Sequence, residues 1–273
     1  MPYHRRMRVR EFAVHPELRP FVRSVWSLET EAQASTILPI RIVPDGVVEL
    51  VFHYRAPFAM RFADGSFEIQ PRSFAVSQIR RFVEIRPQGR GGFLAARFEP
   101  WGAQQFLSMP IGDLADGLVT AEDLWGTEGR DVEEWLELAP DEEQRVAKLE
   151  AFLLARLHEH RKPDLQPLVR EVWRRGGQVR VSEFCEQVGV GERSLERAFT
   201  KALGLPPKSY ARLCRFLCAC RDLTASATPS LTEIGHARGY YDQAHFIGDF
   251  RAYSGMTPGE FRARGDVSFF ELD

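Results

Sequence analysis

Three charged residues within five positions, Arg193, Glu196 and Arg197, stand beside an apolar repeat that would turn them to one side. Leu195, Phe199 and Leu203 recur every four residues, which predicts a helix that buries this stripe and leaves Arg193, Glu196, Arg197 and Thr200 outward. Arginine can donate two parallel hydrogen bonds to guanine and glutamate can accept one from cytosine, so this face carries chemistry suited to reading base edges. Glu196 has a second reading, as a helix-surface partner that only orients Arg193 or Arg197. Lys201, Lys208, Arg212 and Arg251 suit phosphate contacts, which position a protein on a duplex without specifying sequence.

Such a face works only if neighbouring elements hold it rigidly. Val181 to Val188 reads as a short helix with Phe184 and Val188 on one face and the small Cys185 beside Phe184. Gly189 then supplies the backbone freedom for a sharp turn into the helix that carries Leu195. Helix, glycine-containing turn and second helix make a helix-turn-helix. The pattern returns about 50 residues on: Ile234, Gly235 and Gly239 take the places of Phe184, Cys185 and Gly189, and Phe246 and Phe250 those of Leu195 and Phe199. Phe199-x4-Gly204-x2-Pro207-x2-Tyr210 repeats as Phe250-x4-Gly255-x2-Pro258-x2-Phe261. The Gly fits a helix C-terminal stop and the Pro the first turn of the next helix. Lys208 to Ala225, rich in Leu, Cys and Arg, is the expected connecting helix. Two such units can enter successive major grooves if they lie roughly 34 Å apart.

The N-terminal part has another period. Val47 to Tyr54, preceded by the turn signal Pro44-Asp45-Gly46, is β-branched and aromatic. Asp64-Gly65 separates Met60-Arg61-Phe62 from Phe67-Glu68-Ile69 as in a hairpin. Phe74 to Ile79, Arg81 to Ile85 and Phe93 to Phe98 continue the series of short strands, a spacing that suggests a barrel or sandwich. Pro100 is expected to start a short helix through Leu107. Val146, Leu149, Phe152, Leu153 and Leu157 predict a longer one over Asp141 to His160, packed on its own domain or paired with its copy in a second subunit.

The chain has 273 residues, 44% hydrophobic and 27% charged, with 11% aromatic, 21 Gly and 17 Pro. This is the composition of a folded, soluble protein of two domains. No apolar run approaches the roughly 18 residues of a membrane span, and the basic start has no apolar stretch of a secretory signal behind it. The formal charge of −2 conceals a split: residues 1–160 hold 19 Lys and Arg against 24 Asp and Glu, whereas residues 161–265 hold 17 against 11. A basic segment beside an acidic one is a hint of nucleic-acid contact, although two solvated surfaces differing by chance would look alike. The expected class is α+β. A β-barrel with flanking helices occupies residues 1–160, an all-α domain of two helix-turn-helix units joined by a connecting helix occupies 161–265, and 266–273 form a tail.

The closing run Tyr240-Tyr241-Asp242-Gln243-Ala244-His245-Phe246, with Phe250 and Gly255-Met256-Thr257-Pro258-Gly259-Glu260-Phe261-Arg262, resembles the signature of AraC/XylS-type transcriptional regulators. Ser194-Leu195-Glu196-Arg197-Ala198-Phe199 resembles that family's first recognition helix, and the likeness runs from roughly Asp164 to Arg264. Upstream, Leu38-Pro39, Pro44-Asp45-Gly46, Glu49 to His53 and Phe98-Glu99-Pro100-Trp101-Gly102 are similar to the sensor half of some members, a cupin-like barrel. The resemblance implies binding to double-stranded promoter DNA as a homodimer in the bacterial cytoplasm, a small-molecule effector, and RNA polymerase as a further partner. It places Ser194 on the first reading face, and Gln243 and His245 in the second groove. Gly248 departs from the pattern, because relatives usually carry a polar or basic contact residue there.

An effector would sit in the barrel, for which Trp26, Glu49, Phe52, Arg97 and Trp101 are the candidate liners; ordinary core or surface is the competing reading for each. The four cysteines, Cys185, Cys214, Cys218 and Cys220, form no CxxC pair and read as small buried apolar groups. The histidines lack metal-ligand spacing, so neither a metal nor a cofactor is expected. The leading function is a regulator without catalytic activity. Two alternatives are a barrel enzyme with an accessory DNA-binding half, and a regulator whose N-terminal domain only dimerises. Some DNA-repair alkyl-acceptor proteins join a similar reader to a reactive Cys, but residues 1–184 contain none.

Overall fold

The computed structural model describes residues 7–31, 39–61, 65–77, 79–114, 117–157, 165–225 and 229–264. The N-terminal half holds two antiparallel sheets. The larger has the order β1 (Met7–Phe12), β2 (Val22–Thr30), β9 (Gly92–Phe98), β4 (Glu49–His53), β7 (Ser73–Val76), β10 (Leu118–Thr120). The smaller runs β3 (Ile40–Ile42), β8 (Val83–Pro87), β5 (Phe58–Arg61), β6 (Phe67–Ile69). Among the described residues the strands form two separate sheets, in place of the closed barrel expected.

The central strands β4 and β9 of the larger sheet are buried on both faces, and their two-residue period sorts the side chains. Leu50 and Phe52 of β4 and Leu94, Ala96 and Phe98 of β9 face a helical layer. Val51, Phe93 and Ala95 face the smaller sheet, meeting Phe58, Met60, Val83 and Ile85. The helical layer is α1 (Ala121–Trp125), α2 (Thr127–Leu138) and α3 (Glu142–Leu157). Val146, Leu149, Phe152 and Leu153 of α3 pack into this core, on their own domain; positions 158–160 of the expected helix lie outside the described residues. The helix expected after Pro100 is corrected to a single 3-10 turn, Ala103–Gln105.

The C-terminal half is helical: α4 (Gln166–Arg174), α5 (Val181–Val188), α6 (Glu192–Leu203), α7 (Pro207–Thr224), α8 (Leu231–Ala237), α9 (Gln243–Ser254) and α10 (Pro258–Arg264). The sequence repeat is a structural repeat: Gly204 and Gly255 end α6 and α9 in the left-handed conformation, and Pro207 and Pro258 open α7 and α10. The apolar core of this half also takes in Val43 and Trp101 from the N-terminal half, so the two halves share packing. No helix among the described residues is long and apolar enough to cross a membrane. The domain boundary expected near residue 161 and the tail 266–273 lie outside the described residues.

Two glycines with the same backbone twist have different surroundings. A Cβ on Gly177 (φ 73°) would lie 1.9 Å from the Ala211 carbonyl oxygen of α7, whereas one on Gly189 (φ 67°) would meet open space. We expect Gly177→Ala to destabilise by about 3 kcal/mol, through strain plus overpacking, and Gly189→Ala by only about 1 kcal/mol, measured by urea unfolding. Equal losses would mean that α7 does not bear on Gly177.

Candidate functional site

Helix α6 buries Leu195, Phe199 and Leu203 and turns Arg193, Ser194, Arg197 and Lys201 to solvent, with Glu196 half-buried. Among the described residues neither Arg193 nor Arg197 has a hydrogen-bond or ion-pair partner, and Glu196 reaches neither of them. The two guanidinium groups are thus available to an external acceptor. Thr200 is exposed, but the last turn of α6 leans on the 3-10 turn Ile111–Leu114 of the N-terminal half. A Cβ at Gly112 would lie 2.9 Å from the Thr200 carbonyl oxygen and 3.1 Å from its methyl group. The freely presented face is therefore the N-terminal two turns of α6.

The second unit starts with α8, capped reciprocally by Ser230 and Glu233. Those hydrogen bonds hold the Glu233 carboxyl below its ordinary range. Asp242 caps α9, accepting from the His245 backbone N–H at 2.7 Å, and leaves Gln243 and His245 exposed in its first turn. Gly248 is exposed with open space around it, so no neighbour demands a glycine there. Lys208 and Arg251 are also exposed.

Arg212, half exposed, also makes a contact inside the protein. Its guanidinium pairs with Asp249 of α9, a carboxylate only 3% exposed that also accepts from the Tyr240 hydroxyl at 3.0 Å. The pair ties α9 to α7. Arg238 similarly grips Asp222 of α7 with two bonds of 2.6 Å. Asp249 went unread because one carboxylate among Phe246, Phe250 and Tyr253 has no pattern of its own. Its only signal is that it falls on the apolar face. Cys214, Cys218 and Cys220 are buried in α7, and burial pushes their thiols up; Cys185 is half-buried.

A second candidate site lies between the two sheets, a cavity of about 110 Å³. Trp26, Glu49 and Arg97 line it as expected. Phe52 and Trp101 do not, and both are corrected: Phe52, 1% exposed, points to the helical layer, one residue out of phase with the cavity. Trp101 belongs to the core shared with the C-terminal half, its indole donating to the Pro20 carbonyl at 2.9 Å. Glu49 Oε1 accepts from Trp26 Nε1 at 3.0 Å and from Arg97 Nε at 2.7 Å, while Arg97 Nη2 lies 3.3 Å from Asp45. Val51, Met60, Phe74 and Phe93 form apolar walls, with Gln70 and Ser77 as further polar lining.

Asp45 was read only as a turn residue. Burial, with the neighbouring Glu49 adding to it and Arg97 opposing, pushes its carboxyl up to about 6 from an ordinary 3.8. An acid raised in the folded state binds more protons folded than unfolded, so its contribution to stability falls as pH rises towards 6 and stays low above it. Asp45→Asn removes that loss. The variant should gain about 1 kcal/mol relative to the parent between pH 5 and pH 8, read from unfolding curves at both values. A stability difference independent of pH would mean that the Asp45 carboxyl is not raised in the folded state.

Two family models match the chain. Residues 184–264 match a model described as a helix-turn-helix domain, and residues 10–120 match a domain of unknown function, DUF6597. A thc operon regulatory protein of Rhodococcus erythropolis is 30% identical over 82 residues, 29% of this chain and 25% of that protein. The HTH-type transcriptional activator RhaR of Klebsiella pneumoniae is 31% identical over 84 residues, 31% of this chain and 30% of its own length. The chain thus spans less than a third of these curated relatives. Among solved structures, ToxT of Vibrio cholerae aligns over 94% of this chain and 97% of its own at a TM-score of 0.46 and 8% identity. Residues 184–264, which match the helix-turn-helix model, overlap in extent with the roughly 80-residue stretches shared with these two regulatory proteins.

Proposed function

We propose that the chain is a sequence-specific DNA-binding transcriptional regulator that docks α6 and α9 in the major groove and carries a small-molecule sensor of cupin-like kind in its N-terminal half. The observation that carries the reading is the outward face of α6, where Arg193 and Arg197 stand exposed with no carboxylate partner among the described residues. In this reading Arg193, Ser194, Glu196 and Arg197 read base edges, Gln243 and His245 do so from α9, and Lys201, Lys208 and Arg251 hold phosphates. Thr200 contributes only at the edge of the interface, because its turn of helix faces the N-terminal half. The cavity between the sheets receives the effector. Binding as a homodimer, contact with RNA polymerase and the absence of catalysis complete the proposal.

The enzyme reading is weaker at the level of chemistry. The polar groups of the cavity are two carboxylates clamped by one arginine, and the buried thiols lie in another domain with their reactivity suppressed by burial.

The test is a mobility-shift titration on the DNA segment upstream of the protein's own coding region. Each of Arg193→Ala and Arg197→Ala should weaken specific binding by about 10- to 100-fold while changing binding to random duplex much less. Lys208→Ala should weaken both alike and make the dependence on log salt shallower by about one. Specific binding that is unchanged in the double arginine variant removes α6 as the reading helix.

A further inference from the structure

The cavity between the sheets has a specific chemistry, and the inference rests on its being the effector site proposed above. Its volume of about 110 Å³ is below the range of about 300–1,000 Å³ for drug-sized ligands. It is nearer the roughly 150 Å³ engineered cavity that admits benzene. The occupant is therefore small, of about six heavy atoms.

Its charge follows from the polar end. Asp45 and Glu49 share a single guanidinium, that of Arg97, which leaves one negative charge in excess at groups whose side chains are between 11% and 17% exposed. An excess charge so poorly hydrated favours an occupant of opposite sign.

Hydrogen bonding points the same way. Glu49 Oε1 accepts both the Trp26 and the Arg97 donors, and no donor among the described residues reaches Oε2. Ser77, 3% exposed and in the lining of the same cavity, has a buried hydroxyl oxygen with no hydrogen-bond partner. A primary ammonium brings three donors and no acceptor, matching Glu49 Oε2 and Ser77 Oγ together. The edge-to-face rings of Trp26 and Phe93, 5.0 Å apart, supply the aromatic surface that favours a cation. A carboxylate would face two carboxylates, and an alcohol would supply one donor and no charge.

We infer that the cavity binds a small primary amine in its protonated form, with the ammonium at Glu49, Asp45 and Ser77 and a short apolar body among Val51, Met60, Phe74 and Phe93.

The experiment uses the full chain and three probes of one skeleton, butylamine, 1-butanol and butyrate, followed by calorimetry at pH 7.5. Butylamine is expected to bind at least tenfold more tightly than butanol, and butyrate not at all. Glu49→Gln should lose at least tenfold in amine affinity while its affinity for butanol stays within about twofold. Ser77→Ala should lose a smaller factor in the same direction. Equal binding of amine and alcohol, binding of butyrate, no binding of any probe, or an unchanged amine affinity in folded Glu49→Gln each overturn the inference. The ranking of the three probes on the unaltered chain decides it even if a variant fails to fold. DNA retention, measured with and without butylamine, separates the two readings. Amine binding with unchanged DNA affinity supports the cation site and removes its effector role. Loss of the charge ranking with DNA binding intact removes the cation site and leaves the reading helices standing.

Discussion

Helix α7 is buried along almost its whole length, and both α6 and α9 take their positions from it. Tyr210, Leu213, Cys214, Phe216, Leu217, Ala219 and Leu223 lie in one core with Leu195 and Phe199 of α6 and Phe246 and Phe250 of α9. A helix that is apolar on so many faces can only exist inside other elements, so burying α7 and assembling the two helix-turn-helix units are one event. Its small side chains set how closely its neighbours approach. The Gly177 backbone lies against the Ala211 carbonyl, and only a residue without Cβ fits there. The Arg212–Asp249 and Arg238–Asp222 pairs then fix α9 and α8 on this axle by directed bonds, where apolar packing alone would let them slide.

The N-terminal half solves a related problem with a sheet. Because the central strands β4 and β9 are covered on both faces, their residues are committed to one layer or the other by parity. Leu50 and Phe52 go to the helices, and Val51 and Glu49 to the cavity side. His53 lies on that side as well, ringed by Phe58, Phe74 and Phe93, and burial lowers its pKa to about 4. It packs as a neutral aromatic ring. Among the described residues that line the cavity, Asp45, Glu49 and Arg97 are the charged ones, which gives it one polar end.

The two halves meet through a short run of chain. Ser77 and Ile79 line the cavity, and Phe82, a few residues later, donates its backbone N–H to the Tyr253 carbonyl at 2.9 Å. The Phe82 ring fills the place a side chain at Gly255 would take, and Arg41 lies 4.0 Å over it while bonding the Ser254 carbonyl. The end of the second recognition helix and the wall of the cavity are thus held by one segment.

The helix-turn-helix repeat, its glycine stops and its proline starts were legible in the amino-acid sequence. They depend on local properties, backbone freedom at Gly204 and Gly255, fixed φ at Pro207 and Pro258, and a four-residue apolar stripe. The outward position of Arg193 and Arg197 followed from the same stripe. Three of the five candidate liners, Trp26, Glu49 and Arg97, were legible as polar or amphipathic groups on strands. Phe52 was not separable from them, because strand parity assigns a face only once the partner layer is known. Whether the sheets close, which carboxylate Arg212 serves, and that Asp45 joins Glu49 at one guanidinium were decided by tertiary structure alone. Each depends on residues tens of positions apart meeting in a dry interior, where the energy of a charge or of a missing donor is set by its neighbours and not by its own type.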